Sequence, residues 1–338
     1  MNNSLVNNWT IGKETRRLVV VMLVIFLAMT LLRPQLFLRS SNFLSMGYQL
    51  PELGLYSLAM MLVMLSGGID LSIVSIGNFS GVIAATILSR ALAANYPAEQ
   101  MTVQIFLAFF LSIVIGLMLG ALNGSLIVFL KISPMLLTMA TSSIITGMSI
   151  VITKGKSISG IPESLLYFGN NTLLGIPYAL WMFIFVLICI SFLLNRNKFG
   201  FKLKMIGSNS IAGQYSGINV KSVIIKTYML SGLLSALCGL EILLKTNTAK
   251  ADYASTYVIQ AILCAVLGAT NPNGGFAKVS CLVMSLLSLQ FLSSGFNMLR
   301  LGGYYKDFSW GLLLMVVLSM EYFSTIVKKS MKNRMRKQ

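Results

Sequence analysis

Residues 18–32 read LVVVMLVIFLAMTLL, a stretch without a single charge, and runs of this kind return along the whole chain. No other feature restricts the fold as strongly. A helix that crosses a bilayer needs about 20 predominantly apolar residues. Ten segments approach that length: 18–36, 48–66, 70–90, 104–130, 134–153, 176–194, 222–244, 255–270, 276–298 and 308–327. Hydrocarbon offers backbone amides no partner, so such runs satisfy their own hydrogen bonds as helices. Only 10% of the 338 residues are charged, against about 25% in a soluble domain. The sequence predicts an all-α, polytopic membrane helix bundle of about ten spans, a single transmembrane domain over 1–338.

The net charge of +17 would suit a nucleic-acid partner if it were spread over one surface, but it is clustered. Lys13, Arg16 and Arg17 precede the first run, six Lys/Arg lie between 195 and 226 without an acid, and six more end the chain. With the N-terminus inside, 17 Lys/Arg fall on the cytoplasmic side and 9 on the outer side. This is the bias of cytoplasmic segments in membrane proteins, so charge reports orientation and no nucleic-acid partner is expected. Residues 1–17, 195–221 and the basic tail 328–338 are assigned to the cytoplasm. The first run follows basic residues, as a signal peptide would, but no small-residue cleavage site follows it. It reads as an uncleaved span.

Chemistry-bearing groups are few. The chain has no histidine, which removes the commonest general base and metal ligand. Cys189, Cys238, Cys264 and Cys281 sit in apolar runs at unrelated spacings, as small buried hydrophobes do. No catalytic cluster and no metal site is expected. The sequence GKS at 155–157 lacks the glycine of a phosphate-binding loop, since position 150 is Ile. Among the intramembrane acids, Glu241 is expected to pair with Lys245 one turn on and Glu321 with the basic tail. Asp70 has no basic residue near it in sequence.

Asp70 belongs to LSGGIDLSIVS (65–75), where Gly67 and Gly68 weaken the helix and Asp70 can cap the next one. A related break, NPNGGFAKVS (271–280), returns between two later runs and carries Asn273, Gly274 and Gly275. Broken helices at membrane depth are tolerated where they are buried in protein or line a wet cavity, and transporters use them so. The two breaks suggest an internally repeated transporter whose path involves Gly67, Gly68, Asp70, Ser72, Asn123, Asn273, Gly274 and Gly275; simple inner-side turns are the plain alternative. Gly116, Gly120 and Gly124 recur at four-residue spacing, as Gly77 and Gly81 do, and define close helix-packing faces. The connections 153–177 and 195–221 are too long for turns, which suits partner contact on both faces.

Taken together, these stretches resemble a known family. LSGGIDLSIVSIG (65–77) is similar to the SGGIDLSVG motif of the carbohydrate permeases of bacterial ABC importers, the ribose-permease family. GALNGSLIVFLKISPMLLTMATSSIITGMSIVIT (120–153), FGFKLKMIGSNSIAGQYSGINV (199–220) and LGGYYKDFSWGLLLMVV (301–317) resemble later parts of its pattern, in order. The chain departs from that pattern at Ala269, Lys278, Val279 and Phe201, and TMAT stands where TLGT is usual. The resemblance implies a permease subunit without its own ATPase site. It implies two cytoplasmic ATPase subunits that use ATP and Mg, an extracytoplasmic sugar-binding protein, and a second permease copy or paralogue. No cofactor bound by this chain is implied. It also makes Gly200, Gly207, Asn209, Ala212, Ser216 and Gly217 the ATPase-coupling loop. An ATP-independent carrier with Asp70 as its ion-coupling group is the competing reading.

Overall fold

The computed structural model describes residues 13–317 and 319. The basic tail, Glu321, the end of the last expected span and the first twelve residues lie outside the described residues. The chain is helical almost throughout: α1 (Lys13–Leu32), α2 (Pro34–Phe37), α3 (Ser40–Leu65), α4 (Ile73–Ala93), α5 (Ala98–Leu130), α6 (Pro134–Thr153), α7 (Glu163–Asn170), α8 (Tyr178–Arg196), α9 (Lys198–Ser208), α10 (Ser210–Tyr215), α11 (Val220–Thr246), α12 (Tyr257–Leu267) and α13 (Val279–Met298). Residues 303–317 continue the helical pattern. Among the described residues, eight helices are long and apolar enough to cross a membrane: α1, α3, α4, α5, α6, α8, α11 and α13. The expected span 255–270 is shorter than its hydropathy suggests, because α12 holds only 11 residues and the chain before it runs through turns from 251 to 256.

Two helices form the centre. α3 is buried over nearly all of its second half, and α11 packs against α5, α4 and α3. Three glycines on α5 make the α5–α11 contact possible. A Cβ at Gly124 would lie 2.8 Å from the Cα of Ile225, and one at Gly116 would meet the carbonyl of Gly232 at 2.5 Å. On the other side of α11, Gly81 faces the carbonyl of Gly239. The expected packing faces are therefore contacts within one chain, and they let α11 be gripped backbone to backbone from two sides. α1, by contrast, touches mainly α13 and leaves most of its surface to lipid.

The two long connections fold into local structure. On the side where α6 ends, β1 (Ile158–Ser159) pairs antiparallel with β4 (Thr248–Ala249), and β2 (Thr172–Leu173) forms a hairpin with β3 (Ile176–Pro177). Asn247 Oδ1 accepts from the backbone N–H groups of Gly160 and Ile161 at 3.2 and 3.0 Å, which pins this platform to the end of α11. The connection 195–221 becomes α9 and α10. Its helix starts are marked by asparagines: Asn197, Asn209 and Asn219 accept from Phe199, Ala212 and Ser222 N–H, each at 3.0 Å. Each is an N-cap that satisfies an amide with no intrahelical partner.

Candidate functional site

Both helix breaks and the α9–α10 arm meet at one place. α3 ends at Leu65, and its carbonyl accepts from the N–H of Gly275 at 3.0 Å. Gly67 turns the chain at φ +86° and Gly274 at φ +91°, a left-handed backbone that residues with a Cβ avoid. A Cβ on Gly67 would sit 3.4 Å from the carbonyl of Asn273, and one on Gly274 would press on the backbone N–H of Gly67 at 2.9 Å. Gly207, near the end of α9, lies against the carbonyl of Leu65 and the amide of Gly275. Ser208 closes the other side of Gly275. Three segments far apart in sequence thus approach one another closely at backbone groups, beside the side chains of Leu65, Ile206 and Ala277 in one core cluster.

Above this junction sits a second cluster, built around a carboxylate with no exposed surface. Asp70 Oδ1 accepts from the Ser72 backbone N–H at 3.0 Å and from its hydroxyl at 2.6 Å, and Oδ2 accepts from Ser231 Oγ on α11 at 3.0 Å. Asn123 Nδ2 on α5 donates to Ser72 Oγ at 2.8 Å. Thr138 on α6 accepts from Leu71 N–H at 3.0 Å. Asp70 therefore ties the start of α4 to α11, and its neighbours Ser72 and Leu71 tie it to α5 and α6. This refines the expectation of a simple helix cap. The first helical residue is Ile73, so Ser72 is the boundary residue, and Asp70 caps the turn that leads into it. Burial also explains how a carboxylate is carried at membrane depth, since insertion facing lipid costs about 2.5–3.5 kcal/mol.

The structure brings Gly67, Asn273, Gly274, Gly275 and Gly207 together, and it joins Asp70, Ser72 and Asn123 in the neighbouring cluster. Gly68 stands between them, against Tyr228 and Pro134. The remaining loop residues lie elsewhere on the arm. Gly200 is buried against Leu193 and Leu194, while Asn209, Ala212, Ser216 and Gly217 are exposed. Phe201, Ile211 and Tyr215 leave apolar surface in the open there, with Tyr215 90% exposed.

The expected Glu241–Lys245 pair is not formed. Lys245 Nζ instead bonds Glu52 on α3, which also accepts from the Tyr257 hydroxyl at 3.0 Å. Glu52 and Glu241 are both buried, and the Lys245 ammonium goes to the one on the neighbouring helix. Both Glu241 oxygens are buried without a hydrogen-bond partner among the described residues. Like Asp70, Glu52 is an intramembrane acid that the sequence leaves unmarked by any nearby basic residue. Its position inside the run 48–66 was the available signal.

This architecture can be set beside known proteins. A family model described as "Branched-chain amino acid transport system / permease component" matches residues 42–318. The chain belongs to that permease family. Among curated relatives, the permease is 33% identical over 300 residues to the Ribose import permease protein RbsC of Bacillus subtilis (strain 168), covering 88% of this chain and 89% of the relative. It is 28% identical over 313 residues to the L-arabinose transport system permease protein AraH of Escherichia coli (strain K12), covering 93% and 92%. A ribose import permease of Haemophilus influenzae is 27% identical over 326 residues, covering 94% and 97%. The matched span of the permease takes in both breaks and the whole α9–α10 arm. It is a multi-pass membrane protein and a transport component.

Proposed function

We propose that this chain is the membrane-spanning subunit of an ATP-binding-cassette importer for a monosaccharide or sugar-like molecule in a bacterial inner or plasma membrane. Partner subunits hydrolyse ATP with Mg, a binding protein delivers the ligand outside, and a second permease copy or paralogue completes the path. Both termini and the α9–α10 arm face the cytoplasm. The names of the curated relatives, ribose and arabinose permeases, support the substrate class.

One observation carries the mechanism. Gly207 on the arm rests on the end of α3 and on the 271–275 turn, so a push on the arm reaches both helix breaks directly. The apolar residues Phe201, Ile211 and Tyr215 offer the surface that an ATPase grips. An ATP-independent carrier using Asp70 fits less well, because hydrogen bonds from Ser72 and Ser231 already occupy that carboxylate.

Reconstituting the permease with its ATPase and binding protein tests this reading through nucleotide-dependent uptake of D-ribose and L-arabinose. Gly207→Val places branched carbon where Leu65 and Gly275 backbone now lie. Uptake is expected to fall at least tenfold while ATP hydrolysis persists. Continued concentrative uptake with a non-hydrolysable nucleotide would overturn the ATP-driven mechanism.

A further inference from the structure

Away from the breaks, a cavity of about 120 Å3 lies between α3, α12, α13 and the helical stretch 303–317. That is roughly ten times the ~10–15 Å3 one water requires. Its lining is mixed. Gln260 and Gln290 supply carboxamides, Tyr257 and Trp310 supply aromatic surface, and Lys306 and Asp307 supply one charge of each sign. Gln260 is 9% exposed and Gln290 and Trp310 each 4%. Among the described residues the Gln260 amide is bonded to no other side chain or carbonyl. Among the same residues, Gln290 reaches Gln49 at 3.4 Å, long for an N–H···O bond.

Both amides line the cavity, where water can meet them when it is empty, and a polar ligand takes the place of that water without losing its hydrogen bonds. An amide both donates and accepts, as each hydroxyl of a polyol does. The flat C–H face of a sugar ring packs on an aromatic surface, which Trp310 and Tyr257 provide. The charges cancel, and Lys306 Nζ already meets Asn297 Oδ1, so nothing in the cavity selects an anion. A branched apolar side chain would strand the amides.

We propose that this cavity binds a neutral monosaccharide inside one permease subunit, near the helix ends assigned to the outer side. The inference rests on the importer reading. It also links occupancy to the interior, because Tyr257, which lines the cavity, donates its hydroxyl to Glu52, the partner of Lys245.

The test is competition uptake by the complete reconstituted transporter, with D-ribose, L-arabinose and L-leucine as the probes. Gln260→Leu and Gln290→Leu, close in volume to the parent side chains, are expected to lower uptake of the carried sugar at least tenfold. Gln260→Glu keeps the acceptors and loses the donors. It is expected to change the ribose-to-arabinose uptake ratio at least threefold, a readout that does not depend on how much protein folds. If the parent carries sugar and all three variants keep its ratio and rate within twofold, the site is overturned and the importer reading stands. If the parent carries leucine and neither sugar, both fall.

Discussion

Asp70 shows how much a single residue can be asked to do in a membrane. Its carboxylate accepts three hydrogen bonds and so fixes where α4 begins relative to α11. Asp70→Asn keeps one acceptor for Ser72, and Ser231 can rotate its hydroxyl towards the new amide. Uptake is expected to stay within about threefold of the parent. Asp70→Leu leaves those donors buried and unmet, at about 1–3 kcal/mol for each, and a clear loss of thermal stability in detergent is expected. An equal loss of uptake in both variants, with stability kept in Asp70→Asn, would instead make the charge itself essential. The sequence displayed Asp70 because a lone acid between apolar runs stands out. Thr138 and Ser231 stayed hidden, since serines and threonines are common in spans and only their three-dimensional neighbours single them out.

At the scale of elements, α11 depends on the absence of side chains. Gly120 on α5 leaves no room for a Cβ beside the carbonyl of Tyr228, whereas Gly147 on α6 faces open space. Gly120→Ala is expected to cost about 1–3 kcal/mol through overpacking, read as a lower melting temperature. Gly147→Ala is expected to be neutral or stabilising by up to about 1 kcal/mol, because alanine is the better helix former. Equal melting temperatures would mean that the α5–α11 seam yields. The four-residue glycine spacing made this face legible, because a helix repeats every 3.6 residues. The partner helix was not legible, since a glycine face says that something approaches closely and not what. The length of α12 escaped for a related reason: hydropathy over 255–270 is continuous, and the turns from 251 to 256 are set by packing.

For the whole molecule, orientation is the open quantity that charge alone predicts. A cysteine at Tyr215, placed in a background lacking the four native cysteines, is expected to react with a membrane-impermeant maleimide in inside-out vesicles and not in intact cells. Labelling in intact cells would invert the topology. Much of the architecture was legible because apolar runs must become helices in hydrocarbon. The meeting of 65–68, 207–208 and 271–275 was not, because a glycine that admits a close backbone approach does not say in sequence which segment approaches it. One measure of the bundle has a further consequence. The 33 residues of α5 extend about 50 Å at 1.5 Å each, and the 27 of α11 about 40 Å, against a hydrocarbon thickness of ~30 Å. Neither helix can stand upright with both ends at the edges of the hydrocarbon, so each leans or protrudes. Glycine contacts clamp the two together, so whatever lean one takes the other shares. The thickness of the surrounding lipid is therefore a mechanical load on the central helices of this protein, applied whether or not anything is being carried.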